Sequence, residues 1–197
     1  MRISTLAGRM VLRASLGLAA LGALVAFVAS PASASAATVG HQGRGPQTIT
    51  LAFTGTGTSY QSTIGRHPRV GEYVNITEAL HPGYHPHGYV IGFDSIHGVI
   101  VARAWHDGHP DALIRYSARY QFRNGASFVA FVTTWVDQTN FVAALFGTNY
   151  LEGVNGQLCV SIGNSNVTRY LATLYVPGWD SSARSAAAGV RNMAMSG

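Results

Sequence analysis

The chain has 197 residues, of which 47% are hydrophobic and only 11% charged, and its formal net charge is +5. All thirteen basic residues are arginines, three of them in the first thirteen positions, so the rest of the chain is close to neutral. Without a basic stripe, the sequence does not indicate a nucleic-acid-binding protein. One cysteine, Cys159, excludes an intramolecular disulfide, so a folded domain depends on its own core.

The N-terminus has the composition of a secretory signal. Arg2, Arg9 and Arg13 precede an apolar run over Leu16–Ala29, and small residues follow up to Ala36. The run is shorter than the roughly 20 residues of a membrane span, although an uncleaved anchor is the alternative. We therefore expect residues 1–36 to be a signal peptide cleaved after Ala36. The protein would then be secreted or exposed at the cell envelope, without stable membrane insertion.

After a polar, glycine-rich segment at 37–46, runs of β-branched and aromatic residues alternate with turns rich in Gly, Pro, Asn and Asp. This pattern is typical of an all-β barrel or sandwich. The runs predicted as strands are Thr48–Thr54, Glu72–Leu80, Tyr89–Ala104, Ala112–Phe122, Ser127–Val136, Phe141–Phe146, Gln157–Ile162 and Thr168–Val176. The long third run is expected to bend or bulge near Gly98. Small residues at 179–197 have little to pack and predict a flexible, disordered tail, with a frayed helix as the alternative.

Three segments carry glycines and aromatic residues at a distinctive spacing. They are Gly71–His81, Tyr116–Phe131 with its glycine turn, and Phe146–Val160 with its three glycines. They resemble the allene oxide cyclase and dirigent-like β-barrel family over residues 71–178. The resemblance implies an eight-stranded antiparallel barrel over 47–178 with an apolar cavity, no cofactor, and in the plant cyclases often a trimer. It also implies a hydrophobic substrate whose ring closure the cavity directs.

An acid on an apolar face is the most unusual feature of the second run. Alternation places Val74, Ile76 and Glu78 on one face, and if that face points into the barrel the carboxyl goes with it. Burial would raise the pKa of Glu78 and suit it to general acid or base catalysis. We predict Glu78 as catalytic, with Val74 and Ile76 contacting substrate. The alternative is a rim position, or neutralisation by Arg103 or Arg115.

The fourth run places two tyrosines on one face. Ile114, Tyr116, Tyr120 and Phe122 share that face, which is the apolar one. We predict Tyr116 and Tyr120 as catalytic hydrogen-bond donors to a carbonyl or enolate oxygen, and Ile114 and Phe122 as substrate contacts. The alternative is that both tyrosines only pack.

Asp94 and Trp135 complete the predicted lining. Asp94 and Gly98 alternate onto the same face of their strand, and the resemblance places that face inside the barrel. Trp135 is interpreted as a flat wall beside the substrate, or else as an outer contact between subunits. Both faces of the fifth run are apolar, which favours a homodimer or homotrimer.

Histidines form two clusters in this chain. The clustered histidines are His81, His85, His87, His106 and His109. The His85–His87 pair is similar to the cupin metal motif, which also needs a nearby downstream glutamate, but the next one after Glu78 is Glu152. Prolines mark both clusters as turns, so we expect solvated loops, no metal site and no cofactor.

These observations predict a cofactor-independent cyclase. It would fold a small hydrophobic polyketide-, polyene- or oxylipin-like substrate for cycloaddition, conjugate addition or epoxide-derived cyclisation. A dirigent- or lipocalin-like binding protein without catalysis is the first alternative. A secreted structural protein whose barrel is filled by its own side chains is the second.

Overall fold

A computed structural model describes residues 45–163, 167–178 and 180–195. Its strands are β1 (Gln47–Ser62), β2 (Tyr73–Pro82), β3 (Gly92–His106), β4 (His109–Phe122), β5 (Ala126–Trp135), β6 (Asn140–Asn149), β7 (Asn155–Ile162) and β8 (Val167–Val176). Each strand pairs with the next, and the antiparallel pairing of β8 with β1 closes the barrel. The predicted eight-stranded antiparallel barrel is therefore confirmed. The predicted signal peptide lies outside the described residues.

Each predicted run corresponds to one strand, and the largest difference is at β1. This strand continues to Ser62 through Gly55 and Gly57, because pairing with β2 on one side and β8 on the other holds its backbone extended. A register shift between Gly57 and Ser59 bends it. The bend expected near Gly98 lies further along β3, between Ile100 and Ala102.

Aromatic rings fill one half of the barrel interior. Phe53 stacks on Tyr170 with ring centroids 5.0 Å apart, and Tyr120 packs against Phe128 at 4.7 Å. Phe122 lies edge-on to Phe53 at 5.8 Å. All five side chains are at most 2% exposed, so this half is a packed core rather than an open cavity.

The C-terminal segment is not a disordered tail, contrary to expectation: Ser181–Met195 forms the helix α1. The Asp180 carboxylate caps it by accepting hydrogen bonds from the Ala183 amide and the Ser182 hydroxyl, both at 2.8 Å. The face that packs onto the aromatic end of the barrel consists of Ala183, Ala187, Val190 and Ala194. Their spacing of three and four residues places them on one helix face, which packs closely without bulky side chains. No helix among the described residues is long and apolar enough to span a bilayer.

Candidate functional site

Two carboxyl groups and a phenol line up across three adjacent strands. Glu78 on β2 lies directly opposite Asp94 on β3, which lies opposite Tyr120 on β4. Their exposed fractions are 4%, 2% and 2%, so all three side chains face the barrel interior. A buried acid pair surrounded by apolar groups is costly to maintain, which makes it the first place to look for chemistry.

The carboxylate of Glu78 accepts two hydrogen bonds from β8. The Tyr170 hydroxyl donates to Oε2 at 2.6 Å, and the Thr168 hydroxyl donates to Oε1 at 2.9 Å. To reach β8 the side chain must cross β1, and it does so over Gly55. A Cβ at Gly55 would overlap Glu78 Oε2 and would lie 2.9 Å from the Tyr170 ring. The absence of a side chain at Gly55 therefore permits the hydrogen bonds between Glu78 and β8.

Asp94 has a different environment from its neighbour. Its Oδ1 accepts a hydrogen bond from the Glu78 amide at 3.1 Å, while its buried Oδ2 has no hydrogen-bond partner among the described residues. Burial, and then the negative charge of Glu78, raise the pKa of Asp94 to about 9. Asp94 therefore holds a proton at neutral pH and can donate it.

The two predicted tyrosines occupy different depths. Tyr120 lies beside Asp94, and burial followed by the Asp94 charge raises the pKa of its phenol, which stays protonated. Tyr116 lies over Gly98 nearer the barrel end opposite α1, where its ring is parallel to that of Phe141 at 5.9 Å. Burial raises the pKa of Tyr116 to about 12. Of these two tyrosines, only Tyr120 is adjacent to the acid pair.

The predicted substrate-binding residues divide between the two ends. Phe122 belongs to the aromatic core near α1, whereas Val74 and Ile114 form a second apolar cluster, against which Ile76 is packed. Trp135 lies outside the lumen: it pairs with outward-facing Leu113 and stacks on His106 with ring centroids 4.2 Å apart. Neither Arg103 nor Arg115, the proposed neutralising partners, makes a hydrogen bond or ion pair with Glu78 among the described residues; both are exposed.

The inward-facing side chains are less completely buried at the end of the barrel opposite α1. The inward-facing residues there that are only partly buried are Ile76, Ile96, Tyr116, Val132 and Phe141. Ala118 and Ala130, which carry small side chains, lie opposite each other beside them. The acid pair therefore lies between this partly buried end and the aromatic core.

A second concavity lies outside the lumen. An open groove of about 750 Å³ runs along β6, β7 and β8, and its lining includes the outward-facing Val142, Cys159 and Leu171, with Tyr84 from the β2–β3 loop. The groove carries no acid pair, and we place the candidate site inside the barrel.

The first histidine cluster is held in place by hydrogen bonds. Nδ1 of buried His81 donates to the Gly88 carbonyl at 2.7 Å, and its Nε2 lies 2.9 Å from the Thr56 hydroxyl. His85 and His87 are exposed on the loop that His81 anchors. The second cluster lies on the β3–β4 hairpin beside three aspartates, Asp107, Asp111 and Asp137.

Sequence reasoning missed Thr168 and Tyr170, the two donors to Glu78. Both lie at alternate positions of the last strand, so the sequence indicates that they share a face. Their contact with Glu78 on β2 could not be predicted, because they lie 90 and 92 residues from it and reach it only across β1.

No family model and no curated protein matches the chain. Among solved structures, a pyocyanin demethylase matches with a TM-score of 0.53 and 16% identity, over 64% of this chain and 99% of its own. A nonspecific heme-binding cyclase described as catalysing [4 + 2] cycloaddition in neoabyssomicin biosynthesis matches with a TM-score of 0.52 and 16% identity, over 75% of this chain and 78% of its own. A pterocarpan synthase dirigent protein matches with a TM-score of 0.50 and 10% identity, over 74% of this chain and 98% of its own. The chain shares their barrel fold.

Proposed function

We propose that the protein is a cofactor-independent cyclase acting on a small hydrophobic molecule bound at the open end of the barrel. The observation that carries this proposal is the buried pair Glu78 and Asp94, in which the Asp94 carboxyl is protonated and lies against the Glu78 carboxylate. An acid held neutral in an apolar site is suited to protonate or polarise a substrate oxygen.

The two carboxyls have complementary roles. Asp94 donates its proton, or a hydrogen bond, to an oxygen of the substrate as negative charge develops there. Glu78, held by Tyr170 and Thr168, accepts a proton released from the substrate carbon chain. Cycloaddition needs only the first role, whereas conjugate addition and epoxide-derived ring closure use both.

The apolar wall supplies the remaining contribution. Tyr116, Phe141 and Ile76 surround the opening and would hold a flexible chain folded on itself. Holding reacting atoms in attack geometry contributes several kcal/mol without any cofactor. The likeness to a cycloaddition catalyst shows the fold alone, and this fold is compatible with such a role.

A binding protein without catalysis is the second candidate. It is favoured by the near-complete burial of both carboxyls, since a ligand at the opening need not reach them. In that case the hydrogen bonds from Tyr170 and Thr168 to Glu78 serve only to hold the barrel together.

Multiple-turnover assays separate the two candidates. The protein is incubated with a set of linear trienes carrying an enone or an epoxide, and products are followed by liquid chromatography and mass spectrometry. We expect ring-closed products, with kcat at least ~100-fold lower in Asp94→Asn and unchanged in Glu152→Gln, a control at an exposed turn position. Saturable binding without turnover would favour the binding protein, and full activity of Asp94→Asn would exclude this mechanism.

The homo-oligomer predicted from β5 is also a proposal. Phe131 and Phe146 are 47% and 50% exposed on the outer face, with ring centroids 6.3 Å apart. Size-exclusion chromatography with light scattering tests it, and a monomer at all concentrations would contradict it.

A further inference from the structure

The β3–β4 hairpin brings two histidines together outside the lumen. Asp107 and Gly108 form its two-residue turn with φ of 49° and 81°, the positive values that a tight hairpin turn requires. His106 and His109 flank the turn as direct cross-strand partners, with ring centroids 6.3 Å apart. The turn chemistry therefore fixes two potential metal ligands side by side.

Two aspartates complete the cluster. Nδ1 of His106 lies 3.5 Å from Asp111 Oδ2 and 3.6 Å from Asp137 Oδ1. Both distances exceed those of an ordinary hydrogen bond. One ring nitrogen thus faces two carboxylate oxygens at nearly equal distance and bonds to neither.

Burial makes this arrangement costly as it stands. The Asp111 side chain is only 8% exposed, and its Oδ2 has no hydrogen-bond partner among the described residues; the same holds for His106 Nδ1. Buried polar atoms without partners are rare and call for an explanation. A protonated imidazole would provide one hydrogen for two carboxylates and would leave one of them unpaired.

From this geometry we infer that His106, Asp111 and Asp137 bind a divalent transition-metal cation such as Zn²⁺. Zinc bonds to histidine nitrogen and carboxylate oxygen at about 2.0–2.2 Å, so two ligands of one tetrahedral ion lie roughly 3.3–3.6 Å apart. The observed separations of 3.5 and 3.6 Å match this value. The facing atoms of the three side chains all lie within 4.8 Å of one another, so a small side-chain movement completes the site.

Neighbouring groups orient the ligands. The Asp107 carbonyl accepts a hydrogen bond from His109 Nδ1 at 3.4 Å. The other ring nitrogen, Nε2, then presents its lone pair and lies 3.5 Å from Asp137 Oδ2. His109 thus lies at the edge of the three-residue site, beside Asp137. Trp135 stacks on His106 with only 9° between the planes and fixes the ring. Asp137 and His109 are about half exposed, which gives the ion a path from solvent.

Calorimetric titration of Zn²⁺ into the tag-free, chelator-treated full chain tests the inference. We expect one ion per chain, with affinity reduced at least ~10-fold in Asp111→Asn and in Asp137→Asn. The second variant changes a half-exposed side chain, so it keeps the test valid if Asp111→Asn fails to fold. His85→Gln, in the exposed first cluster, is the matched control and should bind like the wild type.

Co²⁺ gives an independent readout through Trp135. A paramagnetic ion bound to His106 lies against the indole, so its fluorescence should be quenched in the wild type and not in Asp111→Asn. Absence of stoichiometric binding would overturn the inference and leave an ion-pair cluster. Binding that is lost in His85→Gln, or is unaffected by both aspartate variants, would overturn it equally.

Discussion

Glu78 and Asp94 occupy directly opposed positions on β2 and β3, and the backbone amide of the first donates to the carboxyl of the second at 3.1 Å. Two acids so close cannot both ionise cheaply in an apolar interior. The pair therefore combines a proton donor with an acceptor, and its charge state affects both reactivity and stability.

The first prediction concerns stability against pH. The pKa of Asp94 is raised in the folded protein, from 3.8 to about 9, by burial and by Glu78. The folded state then binds a proton that the unfolded state lacks, so the free energy of unfolding falls as pH rises from about 4 to about 9. The slope attributable to this proton is at most about 1.4 kcal/mol per pH unit.

Asp94→Asn should remove that slope, because the amide does not titrate. Urea unfolding at a series of pH values measures it, and the variant should gain stability relative to the wild type as the solution becomes alkaline. Glu152→Gln is the control and should follow the wild type. If the free energy of unfolding changed with pH in the same way in Asp94→Asn and in the wild type, the raised pKa of Asp94 would be contradicted.

The second prediction tests the hydrogen bond from Tyr170 to Glu78. Tyr170→Phe keeps the ring against Phe53 and removes only the hydroxyl, which leaves a buried carboxylate oxygen without a donor. We expect a loss of about 1.5–3 kcal/mol in the free energy of unfolding. Tyr116→Phe, whose ring packs near the opening instead, should cost less; equal losses would show that the carboxylate does not depend on this donor.

The third prediction concerns Gly55. In Gly55→Ala the new methyl group overlaps the Glu78 carboxylate, so either the carboxylate or the Tyr170 ring must move. Destabilisation of about 1–3 kcal/mol is expected, together with loss of the proposed cyclase activity. Gly65→Ala is the matched control, since nothing lies within 4 Å of its added Cβ. Wild-type melting and activity in both variants would refute the overlap.

The fourth prediction concerns the cap of α1. Hydrogen bonds from the Ala183 amide, and then from Ser182, lower the pKa of Asp180, so its stabilising effect is present above pH 3.8 and is lost as the pH falls. Asp180→Ala should lower the Tm at pH 7 and not at pH 2. Helix content and Tm by circular dichroism measure this, and equal decreases at both pH values would exclude capping by the charged carboxylate.

Local alternation placed Glu78 and Tyr120 on the inner face, because the side-chain period of a strand is a property of the strand alone. Asp94 was placed there only through the family resemblance. The sequence could not predict whether Trp135 lies inside or outside the barrel, since both faces of its strand are apolar. The packing of helix α1 onto the barrel was not predicted, because alanines at Ala183 and Ala187 carry too little bulk to produce a hydrophobic pattern. The pairing of acids with Tyr170 depends on barrel closure, which no local pattern encodes.

The antiparallel seam between β1 and β8 has a consequence for how the molecule matures. Thr168 and Tyr170 come from the last strand to leave the ribosome, whereas Glu78 comes from the second. Until that strand is in place, the Glu78 carboxylate has water around it and lacks both hydroxyl donors. The centre that we propose as reactive is therefore complete only once the final strand closes the barrel.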